Sequence, residues 1–151
     1  MSAEQPEIKA WRCFVRAKAE VSRAAHRELC EKGVSGGQVG ILRVLTESGS
    51  AGMQLNEISQ RLYVTNGNVT GLIDRLEEAG YIARVPHPKD RRITLAVLTD
   101  AGKAFFEATY PPYMARIKQL MGALTVEEQG VLAEMLTRVA DRAAEMAAAG
   151  E

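Results

Sequence analysis

The sequence predicts a mainly α-helical chain with one small β-hairpin wing, a winged helix-turn-helix with N- and C-terminal dimerisation helices. Three observations lead there. Two short amphipathic helices, at about 55–61 and 66–79, are separated by a connection of three or four residues. Next comes Tyr81-Ile-Ala-Arg-Val-Pro86, then an alternating run ending at Leu98; the two pair most simply as a hairpin with residues 87–92 at its tip. Long apolar stripes lie at both chain ends and exceed what the winged lobe alone can cover.

The elements follow in order. Residues 7–31 carry Ile8, Trp11, Phe14, Val15, Val21, Ala25 and Leu29 on helical spacings, and Gly33 sits where a helix-ending glycine belongs. Ser35-Gly-Gly-Gln38 matches a capping box, opening a helix to about Glu47 with Val39, Ile41, Leu42, Val44 and Leu45 as its apolar face. Gly49-Ser-Ala-Gly52 reads as a loop. The short helix with Leu55, Ile58 and Leu62 leads through Tyr63-Val64 to Thr65, an N-cap for the helix carrying Val69, Leu72, Ile73, Leu76 and Ala79, which stops at Gly80. A long helix runs from Thr99 towards residue 122, and Pro111-Pro112 should kink or break it. Thr125-Val-Glu-Glu128 caps the last helix, whose Val131, Leu132, Met135, Leu136, Val139, Ala143 and Met146 form a stripe to about Ala148. This is one domain: dimerisation helices at 7–34 and 113–148, a winged lobe at 35–99 and a connecting helix at 99–122.

Composition narrows the function. Hydrophobic and charged fractions of 46% and 25% are those of a soluble globular protein. No apolar run reaches membrane-span length, and Met1-Ser-Ala-Glu-Gln-Pro6 lacks the features of a secretory leader. Two cysteines suit a reducing compartment, so the expected location is cytoplasmic. His26 and His87 are too isolated for a metal site. No nucleophilic triad, phosphate loop or CxxC can be assembled, and Asp74, Glu77 and Glu78 read as a solvated flank. The expectation is a protein without metal or cofactor, and not an enzyme.

The 19 basic and 19 acidic residues balance, but unevenly along the chain. Residues 84–92 hold Arg84, Lys89, Arg91 and Arg92 against Asp90, a local balance of +3. Residues 123–151 hold six acids, Glu151 among them, against Arg138 and Arg142, a balance of −4. A cationic hairpin tip downstream of two short helices suits double-stranded DNA, the wing meeting phosphates or the minor groove and the second helix entering the major groove. Arg91 and Arg92, with Lys89, are the expected wing contacts, and Asp90 is expected to shape the tip. Thr65, Asn66, Asn68 and Thr70 open the second helix, where side chains reach base edges. For Thr65 and Asn66 helix capping is the alternative; for Arg75 the choice is a phosphate contact or a pairing with Glu78. Cys13 and Cys30 are expected to be buried and inert, with thiol-based redox sensing through Cys13 as the alternative.

The arrangement resembles the MarR family of bacterial transcription regulators over nearly the whole chain. Asp90-x-Arg92 followed by Leu98-Thr99-x-x-Gly102 is the most specific match. Val69-Thr-Gly-Leu-Ile-Asp-Arg-Leu-Glu77, then Gly80-Tyr-Ile82, and Trp11-Arg-Cys-Phe14 support it. The resemblance implies a homodimer whose first and last helices intertwine, two winged lobes gripping a palindromic operator, and release by a small anionic or aromatic effector or by oxidants. It also implies a crevice lined by Trp11, Phe14, Val15, Ile41, Leu45 and Met53, with Arg16, Lys18 or Arg43 receiving an anion. Where family recognition helices often carry a basic residue this chain has Gly71, which shifts the expected base contacts to Asn66, Asn68 and Thr70. The expected function is a ligand-responsive repressor; a winged-helix protein-interaction module is the rival.

Overall fold

Short-range hydrogen bonds from small polar residues and glycines set the helix ends. The computed structural model describes residues 5–150, so the leader reading on residues 1–4 and the acid Glu151 lie outside it. Its helices are α1 (Pro6–Glu31), α2 (Gly36–Ser48), α3 (Leu55–Leu62), α4 (Asn66–Glu78), α5 (Asp100–Met121) and α6 (Val126–Ala149). α1 closes when Gly33 N–H reaches the Cys30 carbonyl and Val34 N–H the Leu29 carbonyl, both at 3.0 Å. That closure needs a left-handed residue, and Gly33 supplies φ +72°. Val34 and Leu29 then turn inward together. One residue on, the Ser35 hydroxyl accepts from Gln38 N–H while the Gln38 side chain accepts from Ser35 N–H, and α2 begins.

α2 is the central helix of the core. Val39, Ile41, Leu42, Val44 and Leu45 are all buried, packed with Ile58 of α3 and Val69, Ile73 and Leu76 of α4. Each such side chain contributes about 1.5–3 kcal/mol by leaving water. Strands β1 (Met53–Gln54), β2 (Ile82–Pro86) and β3 (Thr94–Leu98) form an antiparallel sheet in the order β1-β3-β2. The hairpin register runs from Ile82 opposite Leu98 to Pro86 opposite Thr94. β1 is an addition to the expected hairpin: Met53 pairs with Ala96 and Gln54 with Leu95, directly after a 3-10 turn at Gly49–Ala51. Two residues are too few to show a period of two.

The end of α4 is tied to the start of α5. The Thr99 hydroxyl donates to the Gly80 carbonyl at 2.7 Å and accepts from Gly102 N–H at 3.0 Å. Thr99 N–H donates to the Tyr81 carbonyl at 3.1 Å. Gly102 is required by this closeness, since a Cβ there would lie 1.9 Å from the Tyr81 oxygen. The Leu98-Thr99-x-x-Gly102 pattern is therefore a clamp that sets the wing's root against the end of the second helix.

Of the two outcomes expected at the paired prolines, a break does not occur: α5 is helical from Asp100 to Met121 with Pro111 and Pro112 inside it. Each proline removes an amide donor. The turn beside them is held by packing instead: Phe106 and Thr109 are buried, Tyr110 and Tyr113 rest on the core, and the Phe106 and Tyr110 rings stack at 4.6 Å. The chain divides into two compact units, the first reaching Met114 and the second starting at Ala115. In the second, Thr125 and Glu128 form a reciprocal capping box, and the Gln129 amide donates to the Met121 and Leu124 carbonyls across the α5–α6 turn. α6 has no buried residue.

Candidate nucleic-acid interface

The four residues that open α4 divide into three that build the turn and one that is unengaged. The Thr65 hydroxyl accepts from Asn68 N–H at 3.3 Å, so Thr65 is the cap. The Asn66 side-chain oxygen accepts from the Ser59 hydroxyl, which is buried on α3, and this bond links the two helices. The Thr70 hydroxyl donates back to the Asn66 carbonyl at 3.0 Å, leaving its methyl group and lone pairs outward. Asn68 is exposed, and no side-chain partner engages its amide among the described residues. Its neighbours Gly67 and Gly71 are open, with no atom within 4 Å of where a Cβ would stand. This part of α4 is an unobstructed surface on which Asn68 offers both its amide oxygen and nitrogen, a pair that can bond bidentately to an adenine edge.

Arg75 is exposed and forms no ion pair with Glu78. It stays available to a phosphate. Arg84 is different, and its place in the basic balance is corrected. Its guanidinium lies 2.5 Å from Asp74 Oδ1 and also pairs with Glu77, while Arg84 N–H donates to Glu77 Oε1 at 3.2 Å. Asp74 and Glu77 are therefore not a plain solvated flank. They pin β2 to α4, and Asp74 foremost holds the Arg84 pKa above its ordinary value. The charge that remains at the tip is Lys89, Arg91 and Arg92 against Asp90.

The tip is built from its own side chains. His87 Nδ1 accepts from the Lys89 and Asp90 N–H groups at 3.1 and 3.3 Å. His87 N–H donates to the Ile93 carbonyl at 2.8 Å. Asp90 Oδ1 accepts from Arg92 N–H and Nε, and Asp90 Oδ2 accepts from Arg92 Nη2 at 2.8 Å. These bonds, the side-chain ones first, hold the Asp90 carboxyl below the usual carboxylate range. The Arg92 side chain is 89% exposed, so the fork is aimed by Asp90 yet remains in solvent. Lys89 and Arg91 are exposed, with no ion pair among the described residues.

Within one chain the residues of the expected effector crevice fall into two groups. Ile41, Leu45 and Met53 belong to the closed core, whereas Trp11, Phe14 and Val15 stand exposed on α1 beside Arg16 and Lys18. Arg43 pairs with Glu47 at 2.6 Å. An apolar helix face looks the same in sequence whether it meets core, ligand or a second chain. A cavity of about 10 Å³ does lie between α1 and α5, lined by Ala25, Leu29, Thr109, Pro112 and Tyr113 among others. The Thr109 hydroxyl there is buried without a partner among the described residues, and the space suits roughly one water. Cys13 and Cys30 are both free and exposed, correcting the expectation of buried thiols. Among the described residues no cluster of metal-ligating side chains occurs, and no helix is long and apolar enough to cross a membrane.

The MarR family pattern matches residues 34–94. The chain is 34% identical over 128 residues to the uncharacterized HTH-type transcriptional regulator YkoM of Bacillus subtilis, covering 85% of this chain and 82% of that protein. It is 34% identical over 113 residues to the HTH-type transcriptional repressor MdtR of the same organism, covering 75% and 72%. Among solved structures, the MarR family regulator Sco3205 of Streptomyces coelicolor, in complex with DNA, aligns with a TM-score of 0.83 at 26% identity, covering 92% of each chain. By fold, motif and relatives alike, the chain belongs to the MarR family of DNA-binding transcriptional regulators.

Proposed function

We propose that the chain is a homodimeric repressor that reads a pseudo-palindromic operator. Asn68 reads base edges, while Lys89, Arg91, Arg92 and Arg75 hold phosphates. The observation carrying this reading is the division of labour at α4: the cap, the helix–helix bond and the back-bonded threonine are internal, and the unengaged amide faces solvent beside an ordered cationic tip. The likeness to a protein described as a repressor supports the direction of regulation. Dimerisation is supported by two unpartnered apolar stripes, Ile8, Trp11, Phe14 and Val15 on α1 and Val131, Met135, Val139 and Met146 on α6. Stripes of this length are costly to leave in water. Two lobes related by a two-fold axis would place their half-sites about one helical turn, ~10 base pairs, apart.

Gel retardation tests the reading. Random duplex DNA should be retarded at low salt and a selected operator should be held more tightly. Asn68→Ala should weaken the operator complex by about 1–3 kcal/mol while leaving random duplex nearly unchanged. Absence of retardation at low salt would overturn DNA binding, and equal losses on both duplexes would overturn the role of Asn68.

A further inference from the structure

The connection between α3 and α4 holds a residue that the fold does not need. Tyr63 is 96% exposed, although its neighbours Leu62 and Val64 pack against the core. Its backbone is left-handed at φ +53°, the one non-glycine residue with positive φ among those described. A branched or bulky side chain is disfavoured in that conformation, and glycine or asparagine is the ordinary occupant of a helix C-cap of this kind. The turn itself is closed by backbone bonds, Tyr63 N–H to the Gln60 carbonyl and Val64 N–H to the Ser59 carbonyl, and neither uses the phenol. A large aromatic side chain thus sits in water, at a backbone position that resists it, and contributes nothing to packing.

Its location gives it an occupation. In a helix-turn-helix the first helix crosses the sugar-phosphate backbone and the N-terminus of the second enters the major groove. The connection between them therefore passes the groove's rim. Tyr63 stands two residues before the Thr65 cap, ahead of the unengaged Asn68 amide. We infer that Tyr63 is a phosphate-contacting residue of the DNA interface: its hydroxyl donates to a backbone oxygen at the groove rim and seats the N-terminus of α4. Phosphate contacts of this kind position a protein without reading sequence. The inference rests on the proposed DNA-binding role of α4 and adds a neutral contact to the cationic ones.

Two variants test it on the full-length protein. Tyr63→Phe keeps the ring and removes the donor. It should weaken operator and random duplex by the same factor, about threefold to tenfold for each lobe bound. The salt dependence should stay at the wild-type slope, because a phenol displaces no counterion. Tyr63→Gly relieves the left-handed strain, so its melting midpoint should be no lower than wild type while its DNA affinity falls at least as far as that of Tyr63→Phe. Wild-type affinity in Tyr63→Phe, whatever Tyr63→Gly does, in an assay where Asn68→Ala still loses the operator, would overturn the inference and leave the DNA reading standing. Failure of the wild-type protein to bind any duplex at low salt would overturn both.

Discussion

Replacing Arg84 by methionine separates the structural cations of the wing from those that meet DNA. The side chain keeps an apolar stem but loses the fork that bridges Asp74 and Glu77. A hydrogen bond to a charged group contributes about 1.5–3 kcal/mol when shielded from water. Here the side chains of Asp74 and Glu77 are 59% and 39% exposed, so solvent competes and the pair of bonds is worth about 1–2 kcal/mol in total. For a chain of this size that corresponds to a fall in melting midpoint of roughly 2–8 °C. Thermal denaturation followed by circular dichroism reads this directly. DNA binding supplies the second half of the test. Because Arg84 is neutralised within the fold, its loss should leave the slope of log affinity against log salt unchanged. Arg91→Ala should instead lower that slope by about 0.9 in each lobe. An Arg84→Met protein with an unchanged midpoint and a flattened salt slope would refute the pin and make Arg84 a phosphate contact.

At the wing tip, Asp90→Ala removes a negative charge yet should weaken binding to all duplexes, because Arg92 loses the carboxylate that aims it; tighter binding in a titration at fixed salt would contradict this. The Asp90 carboxyl should titrate below the ordinary aspartate value of about 3.9, observed by carbon NMR, and a midpoint at or above that value counts against the pair. The sign follows from the lowered pKa: the ion pair is fully present above the unfolded value and is lost only as pH falls through the folded one. Gly102→Ala forces a methyl group against the Tyr81 carbonyl and should cost about 1–3 kcal/mol, lowering the melting midpoint; an unchanged midpoint would show that the clamp is slack.

Features that depend on residues three or four apart were legible in the sequence. Ser35 with Gln38, Thr65 with the Asn68 amide and Thr125 with Glu128 all form their caps, and Gly33 and Gly80 end their helices in the left-handed conformation. Features set by distant partners were not. β1 exists only because β3 offers Leu95 and Ala96 to Met53 and Gln54. Pro111 and Pro112 obey a local rule that aromatic packing on the core overrides. The charges of Asp74, Glu77 and Arg84 were visible, but nothing in their order shows that β2 returns alongside α4. The candidate site shows the same division. Residue types marked the second helix and the tip as polar and basic surfaces, while the bonds engaging Asn66 and Thr70 depend on the turn's geometry. Tyr63 offered one signal, a large aromatic residue in a connection too short to bury it.

In the proposed complex two copies of this chain present α4 and the wing to one duplex at two symmetric half-sites. Hydroxyl-radical footprinting of the protein on an operator selected from genomic fragments tests it most directly. Two protected segments related by a two-fold axis and one helical turn apart, ~10 base pairs, should appear, with flanking protection by the wings that fades in Arg91→Ala. A single protected half-site, or protection unchanged by both Asn68→Ala and Arg91→Ala, would contradict it.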